Sequence, residues 1–161
     1  MSSTPPSPVG VLFICMGNIC RSPLAEGVFL CKIRRRGVAD RFLVESAGTG
    51  GWHVGHRADP RAREVARHYG VSLDSTARQV IRADFDRFDH LICMDNDNRS
   101  DLLDAGAPPD RVRLLLELDP GLKVREVPDP YYGGADGFQR IYTLIERGCE
   151  ALLDDLLAPE R

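Results

Sequence analysis

The sequence lacks the segments that mark exported and membrane-spanning proteins. No apolar run in its 161 residues approaches the roughly 20 residues that a membrane helix needs. The first eight residues, MSSTPPSP, have no basic start followed by an apolar stretch, so we expect a disordered tail at 1–8 rather than a signal peptide. The five cysteines are odd in number, which favours free thiols and a cytoplasmic setting, although an unconventional export route stays open.

The sequence also lacks an excess of positive charge. It has 21 lysines and arginines against 24 aspartates and glutamates, and its formal net charge is −3. A general nucleic-acid-binding protein carries a basic surplus, so this class is excluded. The length and the 43% hydrophobic content predict one domain with a substantial core, at 9–158. We expect a monomer that binds neither nucleic acid nor membrane.

Apolar segments alternate with helical patterns along the chain. The β-branched run VGVLFIC at 9–15 predicts a buried strand. Further strands are predicted at 42–46, 90–94 and 112–116. Helices are predicted at 23–36, 60–69, 96–105 and 137–157. This alternation predicts an α/β fold, in which a single three-layer domain has a four-stranded parallel sheet with helices on both faces.

The loop that follows the first strand contains the most reactive residues. It is Cys15-Met-Gly-Asn-Ile-Cys-Arg21-Ser22-Pro23, with five residues between Cys15 and Arg21. Such a loop can turn its backbone N–H groups inward around an anion, helped by Gly17 and by the helix predicted from Pro23 with Ser22 as its cap. Arg21 offers a planar fork of donors to phosphate. The positive end of this helix and the charge of Arg21 also favour the thiolate of Cys15, to which Ser22 can donate a hydrogen bond.

A thiolate that takes up a phosphoryl group needs a second group to complete hydrolysis. The leaving oxygen must be protonated and a water must then be activated, and one carboxyl group can do both. Asp129, between two prolines in Val127-Pro-Asp-Pro-Tyr-Tyr132, is the candidate. An aspartate before proline is also a common turn residue, so the spacing alone leaves a structural role open.

These segments together resemble the low-molecular-weight protein-tyrosine phosphatases of bacterial type, from Val9 onward. The matching stretches occur in family order, as Cys15 to Pro23, Ser46-Ala-Gly-Thr49, Trp52, Asp59-Pro-Arg-Ala62, Ala77-Arg-Gln79, Cys93-Met-Asp95 and Asp129-Pro-Tyr-Tyr132.

The resemblance implies that the protein hydrolyses phosphotyrosine in partner proteins and needs no metal or cofactor. Cys15 is implied as the nucleophile that forms a phosphocysteine, Arg21 as the phosphate-binding residue, and Asp129 as the general acid and then base. Further residues are implied to contact the phosphate or the substrate, namely Met16, Gly17, Asn18, Ile19, Cys20, Ser22, Trp52, Tyr131 and Tyr132.

Some of these residues have more specific implied roles. Trp52 and Tyr131 wall a deep slot for a phenyl ring, which favours phosphotyrosine over the shorter phosphoserine. Asn18 and Ser46 hold the shape of the loop. Taken from the residues alone, Trp52 can equally cap a surface and the tyrosines can be ordinary packing residues.

Cys20 is the second cysteine of the loop that begins at Cys15. The resemblance implies a reversible Cys15–Cys20 disulfide that protects the nucleophile from over-oxidation, whereas the residue alone is compatible with a small buried filler.

The sequence departs from the family pattern at two positions. Met16 stands where a smaller or branched residue is more usual. Ser75 stands where eukaryotic members have a histidine that supports the loop.

Other functions remain as alternatives. An arsenate reductase of the same fold needs two further cysteines in a mobile segment, but Cys93 is alone in its region. Protein-arginine phosphatases resemble a pattern with Thr at Ile19 and Asp-Pro-Phe where this chain has Asp129-Pro-Tyr131. A cysteine phosphocarrier needs neither Arg21 nor Asp129 for hydrolysis, and a silent phosphotyrosine-binding module needs no acid or base. All the hydrolytic groups are present, which favours the phosphatase.

Two further patterns are assigned no function. His53 and His56 have a spacing that suits a metal, but no adequate set of further ligands accompanies them. The run Arg34-Arg35-Arg36 lies in the last turn of a predicted helix, where positive charge favours the helix dipole.

Overall fold

The computed structural model describes residues 7–130 and 135–158. Tyr131 and Tyr132, which are predicted to bind substrate, lie outside the described residues, as does most of the predicted tail at 1–8. The strands are β1 (Val9–Cys15), β2 (Phe42–Gly48), β3 (His90–Cys93) and β4 (Val112–Leu114). The α-helices are α1 (Arg21–Arg35), α2 (Pro60–His68), α3 (Asp84–Arg87), α4 (Asn96–Asp104) and α5 (Ala135–Leu157).

The strands form one parallel sheet in the order β2-β1-β3-β4. Successive residues of β1 point to opposite faces, as the strand period requires. Val11 and Phe13 enter a core cluster shared with α1, α2 and α5, whereas Leu12 and Ile14 enter a second cluster shared with α3 and α4. Helices therefore cover both faces, which confirms the predicted α/β class and explains why β1 is apolar throughout.

The sheet order fixes where a ligand can bind. From β1 the chain goes to β2 on one side of it, and β3 lies on the other side, so the crossovers diverge at the carboxyl end of β1. Divergence of this kind opens a crevice beyond the strand ends. Cys15 is the last residue of β1 and lies at that crevice.

Helix α1 differs from its prediction in its first turn. It begins at Arg21 rather than Pro23, and the prediction that Ser22 caps it is wrong, because no side chain caps this helix. The Ser22 hydroxyl instead lies within hydrogen-bond distance of the Cys15 sulfur. The far end follows the prediction, since Gly37, with a φ of 70°, ends the turn.

Two other details differ from expectation. Helix α3 is too short, at four residues, to leave a periodic pattern in the sequence. Strand β4 ends at Leu114, two residues before its predicted end, and is followed by a 3-10 turn at Leu115–Leu118. The strand and the turn are both apolar, so the sequence pattern does not separate them. In the described part of the chain, no helix has the length and apolar character to span a membrane.

Candidate active site

The loop between β1 and α1 is curled around the sulfur of Cys15. Asn18 has a φ of 57°, which makes it the only non-glycine residue with a positive φ in the described ranges. Asparagine tolerates this left-handed conformation better than most residues. The turn directs the Asn18 backbone N–H at the Cys15 sulfur, 3.3 Å away. Gly17 instead allows the loop to pass close to His53, because a Cβ on residue 17 would lie 3.0 Å from the His53 ring.

The loop is also fastened to the segment after β2. The backbone N–H groups of Thr49 and Gly50 each donate to carbonyls of the loop at 2.9 Å, those of Cys15 and Met16 respectively. Gly48 permits this approach, since a Cβ there would lie 2.7 Å from the Met16 carbonyl oxygen. The stretch that begins at Ser46 therefore supports the loop through its backbone as well as its side chains.

The side chain of Asn18 sets the direction of the hydrogen bonds behind the loop. Its Oδ1 accepts from the backbone N–H of Arg78 at 3.0 Å, which fixes the orientation of the amide. Its Nδ2 then donates to Ser22 Oγ at 2.8 Å and to Ser46 Oγ at 3.0 Å. Because both hydroxyls accept from Asn18, each has its own proton free for another partner.

Those two protons go to opposite ends of the chain of hydrogen bonds. The Ser22 proton can be donated to the Cys15 sulfur, which lies 2.9 Å from Ser22 Oγ. Ser46 donates to Glu26 Oε1 across 2.5 Å. Cys15 is only 3% exposed and lies before the N-terminus of α1, so the hydroxyl, the Asn18 N–H and the helix dipole all direct partial positive charge toward its sulfur.

Arg21 is buried beside this sulfur, and hydrogen bonds to Asp95 and Val127 hold its guanidinium in place. Its Nη1 donates to Asp95 Oδ2 at 2.6 Å and to the Val127 carbonyl at 2.9 Å, and its Nη2 lies 4.0 Å from Asp129 Oδ2. Burial alone would lower the pKa of Arg21, but Cys15 and Asp95 raise it overall. The guanidinium therefore stays charged within the site.

Eight of the predicted site residues line an open cavity of about 360 Å³. Trp52, 70% exposed, stands at its rim. The cavity is lined by Cys15, Met16, Gly17, Ile19, Cys20, Arg21, Trp52, His53 and Asp129. Asn18, Ser22 and Ser46 lie behind it, in the hydrogen-bond chain. The arrangement can hold a phosphoryl group between a sulfur nucleophile, a charged arginine and a carboxyl group.

Comparison with known proteins decides the family. The model of the family described as low molecular weight phosphotyrosine protein phosphatase matches residues 10–160. The chain belongs to this family. The low molecular weight phosphotyrosine protein phosphatase of Sus scrofa is 40% identical over 148 residues, covering 89% of this chain and 93% of the relative. The resemblance seen in the motifs is thus confirmed, and the protein is a phosphatase.

Solved structures agree with this membership. The structure of YfkJ from Bacillus subtilis has a TM-score of 0.91 and 38% identity, and the match covers 95% of this chain and 97% of that one. The structure of DARP, a drosophila arginine phosphatase, has a TM-score of 0.87 and 29% identity, covering 93% of this chain and 99% of that one.

Glu26 is a residue of this phosphatase that the sequence interpretation missed. It lies on α1, is 9% exposed, and its Oε1 accepts from both Ser46 and Ser75, the latter at 2.8 Å. Burial raises the pKa of Glu26, while the two serine hydroxyls act against that rise. A signal was present, because Glu26 interrupts an apolar stretch of α1. Ser75, which stands where eukaryotic members have a histidine, has a partner in Glu26.

Asp95 is the second residue that was missed, although it lies in a matched stretch. Its Oδ2 accepts from Arg21, and its Oδ1 accepts from the backbone N–H of Asn98, so it also caps α4. An aspartate that directly follows a buried strand was the available signal. One carboxylate therefore links the start of α4 to Arg21.

The remaining cysteines and histidines differ from Cys15 in environment. Burial, followed by the charge of Asp59, raises the pKa of Cys20 to about 12, so Cys20 is a neutral thiol at pH 7. Cys93 is fully buried in β3. The rings of His53 and His56 are 6.0 Å apart, and residues 7–130 and 135–158 contain no cluster of three or more metal-binding side chains.

Proposed function

We propose that this phosphatase hydrolyses phosphotyrosine through a phosphocysteine on Cys15. The observation that carries the proposal is the pair of donors at the Cys15 sulfur, Ser22 Oγ at 2.9 Å and Asn18 N at 3.3 Å, at the base of an open cavity. A thiolate held by two donors is a nucleophile at neutral pH. The charged Arg21 lies beside it to bind the phosphate.

In the first step the Cys15 sulfur attacks phosphorus and the bond from phosphorus to the tyrosine oxygen breaks. Asp129 gives its carboxyl proton to that oxygen, so tyrosine leaves as a neutral phenol. In the second step the Asp129 carboxylate takes a proton from water, and the water oxygen attacks phosphorus. The bond from sulfur to phosphorus breaks, which releases phosphate and restores the thiolate.

Arg21 has the main electrostatic role in both steps. Its planar fork can donate to two phosphoryl oxygens, where charge accumulates in the transition state. Asp95 and the Val127 carbonyl occupy Nη1, which orients the guanidinium before the substrate arrives. This prior orientation avoids reorganisation during the reaction.

The rim of the cavity supports an aromatic leaving group. The exposed Trp52 offers a flat apolar face, and Met16 and Ile19 also line the cavity. A phenyl ring can pack on such faces, whereas phosphoserine is too short to use them. The predicted contributions of Tyr131 and Tyr132 remain part of this proposal.

The test is phosphate release from matched phosphotyrosine and phosphoserine peptides. We expect the wild type to act on phosphotyrosine alone and Cys15→Ser to be inactive. The absence of turnover by folded wild type with a reduced Cys15 would overturn the proposal. The wider setting, namely a monomer that acts on phosphotyrosine proteins in cytoplasmic signalling, also stays a proposal.

A second candidate, phosphoarginine hydrolysis, is favoured by one observation. DARP, an arginine phosphatase by its name, shares 29% identity and the fold with this chain. Ile19 and Asp129-Pro-Tyr131 favour phosphotyrosine, as the sequence predicts. A phosphoarginine peptide in the same assay distinguishes the two, since faster release from it would reverse the order.

A further inference from the structure

A second groove runs along helix α2 beside the catalytic cavity. Its volume is about 530 Å³, and Arg57, the residues Pro60, Arg63, Glu64 and Arg67 on one side of α2, and the segment 70–73 line it. We call it the α2 groove. The spacing of 60, 63, 64 and 67 puts these residues on a single helical face, opposite the buried Ala62 and Ala66.

The α2 groove is positively charged, unlike the protein as a whole. Three arginines and one glutamate line it, a surplus of two positive charges, whereas the chain has a net charge of −3. Arg57 and Arg67 are exposed. Arg63 Nε donates to the Ala58 carbonyl at 3.0 Å, which fixes this side chain near the start of α2. Glu64 pairs with Arg67.

A single stretch of backbone separates the α2 groove from the catalytic cavity. The Asp59 N–H donates to the Ile19 carbonyl at 2.8 Å. Ile19 lines the cavity, and the residues on both sides of the 58–59 stretch, Arg57 and Pro60, line the groove. The α2 face from 60 to 67 is roughly 10 Å long at 1.5 Å per residue. A peptide with its phosphotyrosine in the cavity can therefore reach the groove within several extended residues.

Arg21 is the arginine among the residues that line the catalytic cavity, and the proposed mechanism assigns it to the phosphate. Asp129 is the carboxylate among these lining residues, whereas Trp52 and His53 line the cavity without adding negative charge. An acidic segment would be attracted by the arginines of the α2 groove. Arginine forks match carboxylates in geometry as well as charge.

We propose that the α2 groove docks an acidic segment of the substrate, so that the phosphatase prefers phosphotyrosines that lie several residues from a run of aspartates or glutamates. This inference rests on the proposed phosphotyrosine activity. Exposed ion pairs are individually weak and are screened by salt, so the preference acts mainly on capture of the substrate and weakens as ionic strength rises.

The experiment compares three peptides around one phosphotyrosine. One peptide is neutral, and the others have four glutamates that begin three residues before or three residues after the phosphotyrosine. The test variant is Arg57→Glu/Arg67→Glu, which leaves the Arg63 contact with Ala58 intact. Its matched control, Arg35→Glu/Arg41→Glu, makes the same charge change at the end of α1 and in the turn before β2, at the opposite end of these elements from the loop that follows β1.

We expect wild type to show a kcat/KM about three- to tenfold higher for one of the acidic peptides than for the neutral peptide at low salt. The ratio should fall to one or below in Arg57→Glu/Arg67→Glu, persist in the control, and disappear at roughly 0.5 M salt. The milder Arg57→Gln/Arg67→Gln should reduce the ratio and provides the same reading if charge reversal impairs folding.

A ratio of one in the wild type, or a ratio that survives loss of both arginines, would overturn the docking role. An equal decrease in the control would assign the effect to overall charge and overturn it as well. Hydrolysis of the neutral peptide separates the two proposals. If wild type leaves that peptide intact, the phosphotyrosine activity has failed rather than the groove alone.

Discussion

Ser46 on β2 donates its hydroxyl proton to Glu26 on α1 across 2.5 Å, behind the phosphate loop. This bond obliges Ser46 to accept from Asn18 rather than donate to it. The Asn18 amide is fixed from its other side by the Arg78 N–H, so its second proton goes to Ser22. Asn18 thus donates into two branches, one that ends at the acceptor Glu26 and one that ends at Cys15.

The first prediction concerns that terminal acceptor. Glu26→Leu removes this acceptor, which leaves the Ser46 proton without a buried partner. Ser46 can then turn its proton toward Asn18 and disturb the hydrogen bonds that the Asn18 amide makes. We expect slower alkylation of Cys15 by iodoacetamide at pH 7 and a roughly tenfold loss of kcat/KM, about 1.4 kcal/mol of transition-state stabilisation. Alkylation rate and kcat/KM should fall together, since both depend on the thiolate.

Two variants control this prediction. Glu26→Gln keeps an acceptor oxygen for Ser46 and should retain most of the activity. Ser75→Ala removes the second donor to Glu26 without interrupting the chain to Cys15, and should behave like the wild type. If Glu26→Leu alkylates at the rate of the wild type, the chain has no influence on the sulfur.

The second prediction concerns stability and pH. Burial raises the pKa of Glu26 in the folded protein above its value in the unfolded chain. The unfolded state therefore loses its proton first as pH rises, and the folded state must then bury a charge. The contribution of Glu26 to the free energy of unfolding is fully present below its unfolded pKa and decreases as pH rises through the folded pKa.

Urea unfolding of the wild type and of Glu26→Gln at pH 4 and pH 7 measures this contribution. We expect the stability of the wild type relative to Glu26→Gln to be greater at pH 4 than at pH 7. The exposed Glu64, replaced by Gln, provides the reference, because its pair with Arg67 is at the surface. A difference between wild type and Glu26→Gln that does not change with pH would contradict the burial argument.

The third prediction separates the two roles of Asp129. Asp129→Asn cannot protonate a leaving phenol, so kcat/KM for a phosphotyrosine peptide should fall by about 10² to 10⁴. An ester with a much more acidic phenol, such as p-nitrophenyl phosphate, needs less protonation, so its kcat/KM should fall less. Equal losses for both substrates would mean that Asp129 acts on the phosphate or on Arg21 rather than on the leaving oxygen.

Local patterns predicted the fold because the strands are short apolar runs and the long helices have apolar residues at helical spacing. Buried runs such as 9–15 are sufficient to predict β1, and the alternation with helices is sufficient for a parallel sheet. The prediction that Ser22 caps α1 was wrong, because a serine at a helix start has two possible partners and the capping preference is only a general tendency. The predicted contact of Ser22 with the Cys15 sulfur is present. Here the Ser22 hydroxyl contacts the sulfur of Cys15, which is close to it only because the loop is curled.

The chain of hydrogen bonds could not be predicted for a related reason. Glu26 has partners that are 20 and 49 positions away, Ser46 and Ser75. These contacts exist only once α1 packs beside β2 and the segment before Arg78 crosses it. A buried carboxylate in an apolar stretch indicates that partners exist, but the sequence does not contain their identity.

The last prediction concerns Cys20, for which the disulfide with Cys15 remains untested. The pKa of Cys20 is about 12, so at pH 7 peroxide should react first with the thiolate of Cys15, giving a sulfenic acid and hydroxide. The Cys20 thiol then attacks the Cys15 sulfur, and a disulfide forms with loss of water. Mass spectrometry after mild peroxide should show a Cys15–Cys20 crosslink that dithiothreitol reverses, with activity restored.

Cys20→Ser provides the matched comparison, because it keeps a small side chain in the same buried position. Without the resolving thiol, we expect Cys15 to proceed to sulfinic and sulfonic acid, and activity to be lost irreversibly. Cys149→Ser removes another buried cysteine, one in the core of α5, and should leave the crosslink unchanged. Sulfonic acid on Cys15 of the wild type without any crosslink would show that Cys20 fills space and does not protect the nucleophile.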